Sequence, residues 1–158
     1  MNFLPIAIGV ENEQILIVGG GRLAHSKVLL LKRFTHSFKI VAPSIVEELK
    51  QIEGVVCIER EYRSSDLQDH LLVYAATDDH NLNHQVQADA KNYRCLVSVA
   101  DDPEYCDFVS PAIYKQGYMT VSVGSNGKNV DASILLRDKI KAFLEADPFY
   151  PAPKEVKI

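Results

Sequence analysis

Two short stretches of the chain hold the residue types that chemistry needs. In SVADDPEYCDF (98–108), the carboxylates Asp101, Asp102, Glu104 and Asp107 fall within seven residues, between the apolar runs CLVSVA and FVSPAI. Composition alone makes this a solvated acidic loop. Placed at the end of a strand, it becomes a site for proton transfer. An exposed aspartate titrates near ~3.9 and is a poor base at neutral pH. Crowding several carboxylates with partial burial raises the pKa of at least one. Asp101, next to the apolar strand, is the candidate base, with Asp102, Glu104 and Asp107 as neighbours that tune it or cap the next turn.

The second stretch is ILIVGGGRLAHSK, read as strand, Gly19-x-Gly21-x-x-Ala24, helix. Gly19 permits a tight turn, Gly21 lets a pyrophosphate approach the backbone, and Ala24 keeps the helix close to the sheet. The helix N-terminus attracts the phosphates. Residues Gly19, Gly20, Gly21, Arg22, Leu23 and Ala24 are therefore the candidate dinucleotide cradle. The acid that usually holds the adenosine ribose is missing: the second strand ends Val41-Ala42-Pro43-Ser44. Pro43 and Ser44 occupy that place, and Ser44 can hydrogen-bond a ribose. With no arginine there either, the strand leaves NAD and NADP undecided. Thr77 and Asp78, after LLVYAA, are expected along the same crevice, because ligands of open α/β sheets bind beyond the carboxyl ends of strands. Asp79 reads as a helix cap.

Strands at 5–10, 14–18, 38–42, 55–58, 71–76 and 94–100 alternate with helices at 22–34, 45–52 and 80–92, while 63–70 is polar and loop-like. This spacing predicts a doubly wound parallel α/β sheet of the Rossmann type. The alternation breaks after residue 108. Runs 109–115 and 118–124, separated by Gln116-Gly117, predict a hairpin, and a helix follows from 130 to 144. The expected organisation is a Rossmann domain over 1–108, a small α+β region over 109–146 and a proline-bearing tail over 147–158.

Composition bounds the function. The chain has 158 residues, 47% of them hydrophobic, enough to bury a core. A net charge of −4 gives no general nucleic-acid footprint. No apolar run is long enough to span a bilayer, and the N-terminus lacks the basic start of a signal peptide. The cysteines, Cys57, Cys95 and Cys106, are odd in number and widely spaced, which argues against disulfides and zinc and for a reducing cytoplasm. His80 and His84, four residues apart on a predicted helix, have no third ligand at a recognisable spacing. No metal site is expected.

Three stretches together resemble one family: ILIVGGGRLAHSKVLLL; LLVYAATDDHNLNHQVQADAK with LVSVADDPEYCDFVSPAI; and MTVSVGSNGKN followed by LLRDKI. They look like precorrin-2 dehydrogenase, the siroheme-synthase type of Rossmann protein, over roughly residues 3–146. The resemblance implies NAD-dependent oxidation of precorrin-2 to sirohydrochlorin, with Fe²⁺ insertion in some members. It also implies a homodimer built through the region after the Rossmann domain, and a tail that is the remnant of a C-terminal helical domain. It places the essential acid at Asp101 and substrate contacts at Asp102 and around Lys128-Asn129, where some relatives carry serine at the position of Asn129. Residues 109–142 hold five bases against two acids, a net +3 that suits a substrate bearing many carboxylates. Lys128 is the favoured partner for one of them. The competing readings are a non-catalytic NAD(H)-sensing module and a tetrapyrrole carrier.

Overall fold

The computed structural model describes residues 2–100 and 102–146. They form two compact units, Ile6–Phe108 and a second one built from Val109 onward with the first residues up to Pro5.

In the larger unit, β1 (Ile15–Val18), β2 (Phe38–Ala42), β3 (Val55–Glu59), β4 (Leu72–Ala75) and β5 (Leu96–Val99) make one parallel sheet in the order β3-β2-β1-β4-β5. The expected Rossmann arrangement is present. β1 and β4 are continuous apolar runs because each is buried on both faces, Leu16, Ile17, Val73 and Ala75 completely. The helices α1 (Arg22–Leu31), α2 (Glu47–Lys50) and α3 (His80–Ala90) connect the strands. Each packs a narrow stripe on the sheet: Ala24 and Val28 from α1, Leu49 from α2, and Asn83, Val86 and Ala90 from α3. Each large aliphatic side chain sealed this way contributes about 1.5–3 kcal/mol.

Two local expectations fail. Residues 5–10 form no strand. Their apolar pattern is real, since Ile8 and Val10 pack on the core. However, β1 is already flanked by β2 and β4. The polar stretch 63–70 is not a plain loop. Ser64–Leu67 is a 3-10 turn that buries Asp66, which takes a bidentate bond from Arg60 and lies 3.8 Å from Lys39. Burial alone would raise the Asp66 pKa, but the Arg60 guanidinium and the Arg63 N–H more than offset it and hold the carboxyl below its ordinary range. His70 is buried too, with Nδ1 2.9 Å from the Gln14 carbonyl.

In the smaller unit, β6 (Ala112–Gln116) and β7 (Met119–Val123) form the expected antiparallel hairpin. Its two-residue turn is Gly117-Tyr118, one position later than the sequence suggested, with Gly117 at φ 57°. A positive φ at the first turn position suits the twist of a tight hairpin and calls for glycine there. Helix α4 (Val130–Ala146) packs on this hairpin. Asn129 caps it, its Oδ1 accepting from Ala132 N at 2.8 Å. No helix among the described residues is long and apolar enough to cross a membrane.

Candidate functional site

The parallel strands bring the carboxyl ends of β1, β2 and β4 to one edge. Val18 is in register with Val41 on one side and Ala75 on the other. Beyond it, Gly19 N donates to Val41 O at 2.9 Å and Ala76 N donates to Val18 O at 2.8 Å. The strand order reverses between β1 and β4, and a crevice for ligands opens at such a switch point. The glycines have distinct reasons to be there. At Gly19, with φ 125°, a Cβ would collide with the Ala76 carbonyl. At Gly20 it would collide with the Ser44 carbonyl, so this glycine lets the loop after β2 close over the turn. That loop is tied by Val46 N donating to Gly20 O at 2.9 Å. At Gly21 a Cβ would meet nothing within 4 Å. The space in front of Gly21 is open.

Helix α1 starts at this opening without a side-chain cap and with no acid in its first turn. The N–H groups of Arg22, Leu23 and Ala24 have no intrahelical acceptor and point at the open space, with the positive end of the helix dipole behind them. A pyrophosphate fits these donors and this charge. Pro43 and Ser44 are exposed at the end of β2. No carboxylate ends β2, but the adjacent end of β3 carries Glu59, in register with Ala42 and 2.8 Å from Lys50 Nζ.

Thr77 and Asp79, from the next crossing, serve the protein itself. Asp79 Oδ1 accepts from Asn81 N and Leu82 N, the cap that the sequence suggested. Thr77 Oγ1 donates to Asn83 Oδ1 at 2.8 Å, and Asn83 Nδ2 donates back to the Thr77 carbonyl at 2.9 Å. Sequence reasoning missed Asn83. Its signal was an amide at a core-facing helical position, in step with Val86 and Ala90. Asp78 is exposed.

The acidic loop has more internal structure than its composition suggests. β5 is an edge strand, and residues 106–107 cover its open side. Asp107 accepts from Val97 N at 2.9 Å while its own N–H donates to Val97 O at 2.8 Å. The Cys106 thiol accepts from Val99 N at 3.1 Å and can donate to Val99 O at 3.2 Å or Asp102 O at 3.3 Å. Burial pushes the Cys106 pKa up, so the sulfur stays a thiol. Asp107 is therefore the structural member of the acidic run, and the cysteine that composition left idle is its clasp. Asp101 lies outside the described residues. Asp102 faces His84, whose Nε2 is 2.9 Å from Asp102 Oδ2 and whose ring stacks on Tyr105. Glu104 is exposed in the 3-10 turn Pro103–Tyr105. Among the described residues no three His, Cys, Asp or Glu side chains gather as a metal-ligand set. Lys128 and Asn129 belong to the smaller unit: Lys128 is exposed, and the Asn129 side chain is taken up by the α4 cap.

Comparison with known proteins agrees with this geometry. A family model described as "Putative NAD(P)-binding" matches residues 6–112. A siroheme synthase of Ectopseudomonas mendocina is 37% identical over 148 residues, covering 92% of this chain and 32% of the relative. One from Psychrobacter cryohalolentis is 35% identical over 147 residues, covering 91% of this chain and 28% of the relative. The chain thus spans under a third of these curated relatives. Among solved structures it is similar to SirC, precorrin-2 dehydrogenase, with a TM-score of 0.71 and 21% identity, covering 91% of this chain and 70% of the other. That likeness concerns the fold.

Proposed function

The chain belongs to this NAD(P)-binding family, and from that premise we propose that it oxidises precorrin-2 to sirohydrochlorin, with NAD as hydride acceptor, in siroheme biosynthesis. The observation that carries the proposal is the open, uncapped α1 N-terminus on the sheet edge from which the β5 acidic loop also departs. Similarity to siroheme synthases over nine-tenths of the chain supports the substrate class. The nicotinamide, when bound, supplies the hydride sink. The protein's share is orientation and removal of one proton. Gly19–Ala24 hold the pyrophosphate, Pro43 and Ser44 border the adenosine ribose, and Thr77 and Asp78 line the crevice. Asp101 is the base for the substrate proton. Lys128 pairs with a substrate carboxylate.

The protein acts as a cytoplasmic homodimer in this reading. The smaller unit supports that part: Val130, Leu135, Leu136 and Phe143 on α4, with Tyr118 and Met119 on the hairpin, are exposed apolar side chains. A second copy of the same unit is the occupant proposed for them. Sedimentation of the intact chain should give a dimer that Leu135→Glu with Phe143→Glu dissociates. A monomeric wild type rejects this arrangement.

One assay tests the chemistry. Purified protein with precorrin-2 and NAD should form NADH together with the sirohydrochlorin absorption spectrum. Fe²⁺ added afterwards asks whether the chain also makes siroheme. Asp101→Ala should abolish NADH formation while NAD still binds. Nucleotide binding with no reduction, given authentic precorrin-2, would instead favour a sensing module, and sirohydrochlorin binding without turnover would favour a carrier.

A further inference from the structure

The acid that β2 lacks is supplied beside it by β3. The two strands run parallel with Ala42 opposite Glu59, so Glu59 stands at the same end of the sheet as Pro43 and Ser44. The loop after β2 lies directly against the glycine turn, because a Cβ on Gly20 would collide with the Ser44 carbonyl and the Ile45 Cα. The Glu59 carboxylate reaches the same loop. Lys50 Nζ, 2.8 Å away, and the Ile45 N–H hold its pKa below the ordinary carboxylate range. Glu59 is therefore charged at neutral pH and lies beside the residue that follows Ser44. Lys50 is the ammonium of this place, and Glu47 is a second carboxylate 4.0 Å from its Nζ. Two carboxylates against one ammonium leave a net charge of −1. The nearby cations on β2 and after β3 are drawn elsewhere: Arg60 bonds Asp66 in bidentate fashion, and Lys39 lies 3.8 Å from the same carboxylate. An exposed ion pair such as Lys50–Glu59 adds little to stability. Its position next to the ribose-bordering loop gives it a different use.

We propose that Glu59 makes the site choose NAD over NADP, by repelling a phosphate on the 2′ oxygen of the adenosine ribose and by keeping Lys50 from pairing with it. The inference rests on the dehydrogenase reading, in which Ser44 borders that ribose. NADP differs from NAD by this one phosphate, and a phosphate monoester carries about −1.5 to −2 charges at pH 7. Repulsion between like charges needs proximity and no particular hydrogen-bonding pose. The uncharged ribose hydroxyls of NAD meet no such penalty. In Rossmann sites the usual discriminator is an acid that bonds the 2′-hydroxyl, and an arginine nearby accommodates the 2′-phosphate instead. Here the second strand ends in Ser44, which has no charge to discriminate with. The discriminating charge comes from the third strand, and the cation that would welcome a phosphate is already held by it.

Calorimetric titration of the full chain with NAD and with NADP is the test. The wild type should bind NAD at least ~10-fold more tightly than NADP. Glu59→Gln keeps the shape of the side chain and removes its charge. NADP affinity should then rise on the order of 10-fold, because charges near the surface are partly screened. NAD affinity should stay within about twofold, which also shows that the variant is folded. Adding Lys50→Gln to Glu59→Gln should take back most of the gain, since the freed ammonium is one of its two sources. The gain should also shrink at high salt. Equal affinities of the wild type for the two nucleotides, or an unchanged preference in Glu59→Gln, overturns the selection and leaves the dehydrogenase intact. A gain that survives Lys50→Gln in full overturns the part assigned to Lys50. A wild type that binds neither nucleotide overturns the dehydrogenase reading with it.

Discussion

The β1–α1 and β4–α3 crossings leave adjacent strands at the same edge of the sheet and solve the same problem in opposite ways. A helix N-terminus exposes N–H groups that need acceptors. At α3 the protein supplies them itself: Asp79 caps the first turn, and Thr77 and Asn83 lock the approach. At α1 it supplies nothing, and three glycines keep the approach narrow and bare. The difference is the cost of a binding site. One crossing is finished by its own side chains, and the other is left for a ligand to finish.

The comparison breaks most severely at Gly19. Gly19→Ala puts a methyl into the Ala76 carbonyl at a backbone angle that side chains rarely adopt. Strain of this kind costs roughly 2–3 kcal/mol before the clash is counted. A fall in melting temperature together with loss of nucleotide binding is expected from thermal denaturation with and without NAD. Normal stability would mean that the turn is less constrained than its contacts indicate.

Gly21→Asp makes α1 imitate α3. Gly21 has an ordinary extended conformation with open space in front of it, so an aspartate fits and caps the helix. Stability should hold or rise by a few tenths of a kcal/mol, the gain of such a cap over glycine. The new charge takes the place meant for the pyrophosphate, so NAD affinity measured by calorimetry should drop at least ~100-fold, about 2.7 kcal/mol. The opposite effects on stability test the division of labour that the motif assigns to Gly19, a residue of the fold, and Gly21, a residue of the site.

What the sequence made legible and what it hid divide along similar lines. The glycine turn, the buried strands and the Asp79 cap are local signals, set by residues a few positions apart, and the structure contains them as read. Partners distant in the chain were hidden. The apolar run at 5–10 reads as a strand because alternation is local, but a strand also needs an open edge. Asp66 and His70 read as loop residues because their partners lie outside the stretch: Arg60 just before it, Lys39 on β2 and Gln14 ahead of β1. The pairing of Asp102 with His84, eighteen residues earlier, was hidden for the same reason. The proton site at Asp101 rests on its place after β5 and lies outside the described residues.

Asn83→Ala tests the finished crossing. It strips Thr77 N and the Thr77 carbonyl of their side-chain partners at a position that is 1% exposed. An unsatisfied buried polar group costs about 1–3 kcal/mol, so urea denaturation should show a loss in that range. NAD affinity should fall less than in Gly21→Asp, because Thr77 is displaced while the α1 donors are untouched.

The smallest effect is expected at Asp79. Asp79→Ala removes the acceptor for Asn81 N and Leu82 N, both at the exposed start of α3, where water can replace the carboxylate. The loss should be about 1 kcal/mol, the usual worth of an N-cap, read as a shift in the urea midpoint with unchanged slope. Asp79→Ser should recover most of it, since a hydroxyl can accept the same bond. NAD affinity should not move in either variant. If it falls as far as in Gly21→Asp, Asp79 belongs to the cofactor crevice, and the contrast between a finished and an unfinished helix start fails on its own terms.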